Sequence, residues 1–156
     1  MVNFSKAAVL GAGLAMTLGA AAASAQESIY VPNLAYRTGP FAATGTPIMD
    51  GQRDYIKLLN ERDGGLNGVT LEYDECETGY STEKGVECYE KTKENAVVTQ
   101  PWSTGITLQV VPRASVDEVP VLSPGYGLSA VAVGDVFPWA FVPPVTYWDG
   151  ASVVLK

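Results

Sequence analysis

Residues 28–73 read SIYVPNLAYRTGPFAATGTPIMDGQRDYIKLLNERDGGLNGVTLEY. An apolar, β-branched run ends in a glycine-rich turn, a helix-like pattern follows, and a second apolar run comes after paired glycines. Ser28–Ala35 is strand-like, with Ile29, Tyr30 and Val31 ahead of the glycine-rich stop. The helix is expected to begin at Thr46, a good N-cap, with Pro47 in the first helical position. Ile48, Tyr55, Ile56 and Leu59 then recur at helical spacing. Gly64-Gly65 ends it, because left-handed backbone conformations cost glycine little. Residues 69–73 form the second strand. Strand, helix, strand is the unit from which parallel sheets are built.

The pattern continues downstream. Ser81 caps an expected second helix that runs to about Glu94, with Glu83 in its first turn and Lys91 and Lys93 in its last, as the helix dipole prefers. Residues 96–99 read as a third strand, 104–114 as a third helix and 119–122 as a fourth strand. Residues 137–141 are a fifth strand, interrupted by Pro138 and so placed at an edge. From Thr146 the chain turns helical again. This alternation predicts α/β class: a parallel, doubly wound, flavodoxin-like three-layer sandwich with helices on both sheet faces.

The first 25 residues stand apart from that domain. Lys6, an apolar stretch rich in Ala, Gly and Leu, and the small-x-small ending Ala23-Ser24-Ala25 form a secretory signal with cleavage expected before Gln26. The apolar part is short and alanine-rich for a spanning helix. The expected mature domain is residues 26–156, large enough for one core. Without Lys6 it holds nine basic and 17 acidic residues, a balance that argues against nucleic acid as a partner. There is no histidine, which removes His-based catalysis and His-ligated metals. The chain stops inside the apolar run ASVVLK, which reads as a truncated gene or fragment lacking a further domain.

Cys76 and Cys88 are an even pair in an exported chain. That favours a disulfide closing a short loop, worth roughly 2–3 kcal/mol, over the alternative of two separate buried thiols. The surrounding acidic string DECETGYSTEKGVE lacks calcium-loop ligand spacing and reads as a solvated segment.

In a doubly wound sheet, ligands collect beyond the carboxyl ends of the strands. Three loops fall there: YRTGPFAATGT at 36–46, QPWSTG at 100–105 and SPGYG at 123–127. Each joins glycine, a hydroxyl and an aromatic ring, and none carries a carboxylate. Helix-start amides with Ser and Thr hydroxyls suit a small carboxylate. Tyr36, Phe41, Trp102 and Tyr126 can wall an organic ligand, and Arg37 can pair with an acid. Each residue also has an ordinary role open to it: Ser103 or Thr104 as a helix cap, Gly39, Gly125 and Gly127 as turn formers, Phe41 and Trp102 as core, Arg37 as a solvated side chain. No phosphate loop and no dinucleotide fingerprint is present, and no cofactor is expected. An enzyme on this sheet would need Ser with Lys or paired carboxylates, and neither lies in the three loops.

With Gly39-Pro40, Gly45, Gly51 and the run Asn60-Glu61-Arg62-Asp63-Gly64-Gly65-Leu66-Asn67-Gly68 in view, the chain resembles the first lobe of ABC-transporter substrate-binding proteins of the branched-chain amino-acid type. The resemblance covers nearly all of residues 26–156 and implies a type I periplasmic binding fold. Two such lobes close over a small ligand in that family, and the second lobe and hinge are absent from this sequence. It further implies no catalysis, a periplasmic location and an importer permease as partner. Position by position it gives ligand-binding roles to Tyr36, Arg37 and Phe41, to Trp102, Ser103 and Thr104, and to Gly125, Tyr126 and Gly127. Tyr126-Gly127 stands where amino-acid binders place Ala-Thr, a departure pointing to an amide, urea derivative or organic acid rather than leucine. A ligand-sensing domain of an exported receptor is the alternative function.

Overall fold

The computed structural model describes residues 28–123 and 127–156. The expected signal at 1–25, together with Gly125 and Tyr126, lies outside the described residues. Among the described residues five strands and four α-helices follow in the order β1 (Ser28–Ala35), α1 (Ala42–Asp63), β2 (Thr70–Glu77), α2 (Thr82–Thr92), β3 (Gln100–Pro101), α3 (Thr104–Asp117), β4 (Val121–Leu122), β5 (Ala140–Phe141) and α4 (Tyr147–Val154), with a 3-10 helix at Ser129–Val131 in place of an α-helix between β4 and β5.

All pairings between strands are parallel. β1 runs beside β2 along its whole length, from Ser28 opposite Thr70 to Ala35 opposite Glu77, and meets β3 at Asn33–Gln100 and Leu34–Pro101. β4 pairs with β5, and a bridge between Thr99 and Val121 joins the two ladders. The lateral order is therefore 2-1-3-4-5, the flavodoxin-like arrangement, with its switch point between β1 and β3. Among the described residues β5 is an edge, as expected, although Pro138, on which that expectation rested, lies outside it. The β1–β3 ladder is short for a chemical reason: Tyr30 accepts from Val97 N–H at 3.2 Å, but Pro32, next on that side, has no N–H to offer.

The period of two along β1 sends its side chains to opposite faces. Leu34 goes to the α2–α3 side, where it is fully buried with Tyr89, Ile106, Val110 and Val121 in the main core. Burying each such aliphatic chain stabilises the fold by roughly 1.5–3 kcal/mol, as an upper estimate. Asn33 goes to the α1 side, where its amide donates to the Tyr73 hydroxyl at 2.6 Å and Gln52 of α1 donates to Gln100 at 2.5 Å. One face is apolar, and the other carries a polar layer under α1.

Four expectations need correction. First, α1 begins at Ala42 rather than Thr46, so Pro47 lies inside it, and its N-cap Phe41 makes no side-chain capping bond. Packing overrides the capping signal here: a methyl on Gly45 would sit 1.9 Å from the Tyr36 carbonyl oxygen, so this first turn is pressed onto the end of β1. Second, the acidic string is not wholly a solvated segment, because residues 74–77 are the second half of β2. Third, β3 is displaced to Gln100–Pro101. Fourth, β4 and β5 shrink to Val121–Leu122 and Ala140–Phe141 from the expected 119–122 and 137–141. The disulfide between Cys76 of β2 and Cys88 of α2 is formed, with Cα atoms 5.6 Å apart. Gly64 ends α1 in the left-handed conformation, and Ser81 and Thr146 cap α2 and α4. Among the described residues no helix is long and apolar enough to cross a membrane.

Candidate functional site

The carboxyl edge of the sheet brings together the first loop, the turn after β2, and the start of α3. Tyr36 leaves β1 buried, and its ring meets that of Tyr80 edge-on with centroids 5.0 Å apart. Phe41, half exposed at the start of α1, lies 4.5 Å from the same Tyr80 ring. Trp102 packs against the cluster of Ala35, Tyr36 and Met49 that Tyr80 also covers. Four rings from three loops thus form one wall. Tyr80 was absent from the sequence reading, because its position on a short turn beside an acidic run carried no periodic signal.

Ser103 is buried and caps α3. Its hydroxyl accepts from Ile106 N–H at 3.4 Å, and its carbonyl accepts from Thr107 N–H at 2.9 Å. The amides of Thr104 and Gly105 belong to the turn that has no intrahelical acceptors, so the positive end of α3 opens at the rim beside Trp102. The Thr107 hydroxyl lies 3.1 Å from that of Ser123, which ties α3 to the end of β4. Thr104 is 3.1 Å from the Tyr147 hydroxyl at the start of α4. Gly127 lets α4 approach closely: Tyr147 N–H donates to its carbonyl at 2.6 Å, and an added methyl would lie 2.5 Å from the Val145 carbonyl oxygen. Gly125 and Tyr126, the rest of the third loop, lie outside the described residues.

Arg37 is part-exposed and paired with carboxylates. Its guanidinium forks onto both oxygens of Glu75 and reaches Asp50 of α1 at 2.9 Å. The Glu75 hydrogen bonds, then those of Asp50, outweigh desolvation and make it hold its proton more firmly than a free arginine. Asp50 is held below the usual carboxylate range, chiefly by the Arg37 hydrogen bond. An anionic solute would have to displace two carboxylates to use this cation.

Glu77 works on the same loop through backbone. Its carboxylate accepts from the N–H groups of Arg37 at 2.8 Å, Thr38 at 3.2 Å and Gly79 at 2.7 Å, and from the Thr38 hydroxyl at 3.0 Å. Burial alone would push this carboxyl up, but those donors outweigh it and hold it below its ordinary value. Glu75 and Glu77 escaped the sequence reading because their signal, carboxylates alternating with Cys76 at the end of a strand, looks like a charge run unless the strand is extended to residue 77. A groove of about 320 Å³ between α1 and β2, lined by Arg53, Ile56, Asn60 and Leu71 among others, lies along the β2 edge. Among the described residues no group of three or more His, Cys, Asp or Glu could hold a metal ion.

Known proteins resemble the chain over the same region. A family model described as periplasmic binding protein matches residues 28–156. A crystal structure described as an ABC transporter permease from the Pseudomonas fluorescens group is 35% identical with a TM-score of 0.75, covering 83% of this chain and 32% of its own. A branched-chain amino-acid ABC transporter from Thermus thermophilus with bound valine is 21% identical (TM-score 0.74, covering 83% of this chain and 34% of its own). A fatty acid ABC transporter substrate-binding protein from Thermomonospora curvata is 22% identical (TM-score 0.70, covering 82% and 33%). The chain therefore spans about a third of the length of these structures. Comparison with curated proteins gave no match.

Proposed function

The chain belongs to the periplasmic binding protein family, and on that premise we propose that it is the first ligand-binding lobe of an exported protein that captures a small organic solute and delivers it to an ABC importer. The observation that carries the proposal is the start of α3, capped by Ser103, standing beside the ring wall of Tyr36, Phe41 and Trp102 at the switch point of the sheet. Helix-start amides favour a carboxylate or amide oxygen, and the rings favour an apolar body. Valine and a fatty acid, named for two of the similar structures, share that division into a polar head and an apolar remainder. In this reading Ser103 and Thr104 hold the head, Tyr36, Phe41 and Trp102 flank the body, and Gly127 sets the far limit of the rim together with Gly125 and Tyr126. Arg37 braces the first loop instead of pairing with the solute. Export to the periplasm by residues 1–25 and an importer permease as partner are parts of the same proposal.

No chemistry is required of the site: hydrogen bonds and apolar contact hold the solute. One lobe covers one side of it, so affinity is expected to be far weaker than that of a closed two-lobed site. Tryptophan fluorescence tests the assignment, with L-valine, L-glutamine, urea, acetamide and succinate as probes. At least one probe is expected to change the emission saturably, and Trp102→Phe to abolish the change. Emission indifferent to every probe, or a change that survives in Trp102→Phe, would contradict it.

A further inference from the structure

We propose that Tyr80, on the turn between β2 and α2, is a further solute-contacting residue whose hydroxyl bonds the polar part of the solute; this rests on the solute-binding reading above. Ser81 N–H donates to the Thr78 carbonyl at 2.9 Å, closing a tight turn in which Gly79 and Tyr80 both have left-handed backbones, at φ 57° and 65°. Glycine or asparagine is the usual occupant of such a second position, and a bulky residue there is an outlier. Strain of this kind persists where the surroundings impose it, and it gathers at ligand sites. Here the Thr78 hydroxyl imposes it, accepting Tyr80 N–H at 3.1 Å while donating to the Ala35 carbonyl at 2.8 Å.

The turn delivers the ring into the gap between Tyr36 and Phe41, where two ring contacts fix its plane. The hydroxyls of Tyr30, Tyr73, Tyr89 and Tyr147 all hydrogen-bond within the chain. That of Tyr80 bonds to none of the described residues, although the ring is half-buried. A fixed ring in the same wall as Trp102, its hydroxyl uncommitted among the described residues, suits a carboxylate or amide on the solute.

Tyr80→Phe keeps the ring and removes only the hydroxyl. Titrated with the same five probes by calorimetry or NMR, it is expected to bind the responsive probe about fivefold more weakly than the wild type, with an unchanged thermal midpoint. Unchanged affinity in Tyr80→Phe alongside weaker binding by Ser103→Ala would overturn the role of Tyr80 and leave the solute-binding reading standing. A thermal midpoint lowered in step with affinity would assign the hydroxyl to the fold and also overturn it. Failure of the wild type to bind any probe would sink both.

Discussion

Gly39 shows how much one missing methyl group decides at this rim. Its φ is 83°, and a side chain there would place Cβ 2.4 Å from the Gly79 carbonyl oxygen, so the first loop and the turn after β2 touch backbone to backbone. Gly51, in the interior of α1, has nothing within 4 Å of the same added atom. The two predict opposite signs. Gly39→Ala should destabilise by about 2 kcal/mol through strain and overlap, whereas Gly51→Ala should stabilise by about 1 kcal/mol through helix propensity. Urea unfolding measures both, and equal effects would contradict the contact at Gly39. Gly39 was legible in the sequence as a turn former and Gly51 as a helix residue. What each one touches was not, because a contact between residues 39 and 79 is set by the packing of β1 on β2.

Among the elements, local chemistry was readable where it settled the outcome. Ser81 caps α2 and Gly64 ends α1, as their residue types indicated. The start of α1 was misplaced because Thr46-Pro47, a sound local signal, lost to the pressing of Gly45 onto Tyr36. The length of β2 was missed because carboxylates on a half-exposed strand resemble a solvated run, and with it the clamp formed by Glu77. That clamp makes the joining of the first loop to β2 sensitive to acid. Since the folded protein holds the Glu77 carboxyl below its ordinary value of 4.5, the contribution is complete above that value. It is lost as pH falls through the lower, folded-state value. The amide resonances of Arg37, Thr38 and Gly79 should therefore titrate together with a midpoint below 4.5, and Glu77→Gln should abolish the titration. A midpoint at or above 4.5 would show that the carboxylate is not held by these amides.

For the whole molecule, the alternation of strand and helix carried the parallel sheet and its three layers, since parallel neighbours need a long crossover that is usually a helix; between β4 and β5 the described crossover holds only a short 3-10 helix. The order 2-1-3-4-5 depended on the family resemblance and on pairing that no single residue announces. Of the candidate site, the hydroxyls and rings of the first two loops were legible, while Tyr80 and the carboxylates that pair with Arg37 were not. Each loop's own composition carries its rings and hydroxyls, whereas the missing groups belong to a neighbouring strand and turn. In the proposed function, separate loops at one edge of the sheet act as a single solute site. Amide chemical-shift mapping during titration with L-valine, L-glutamine, urea, acetamide and succinate separates one site from unconnected contacts. For the probe that binds, residues 36–42, 80 and 102–105 are expected to shift together with one affinity while 64–68 and 95–97, at the opposite edge, stay still. Shifts scattered over both edges, or loops responding with unrelated affinities, would contradict it.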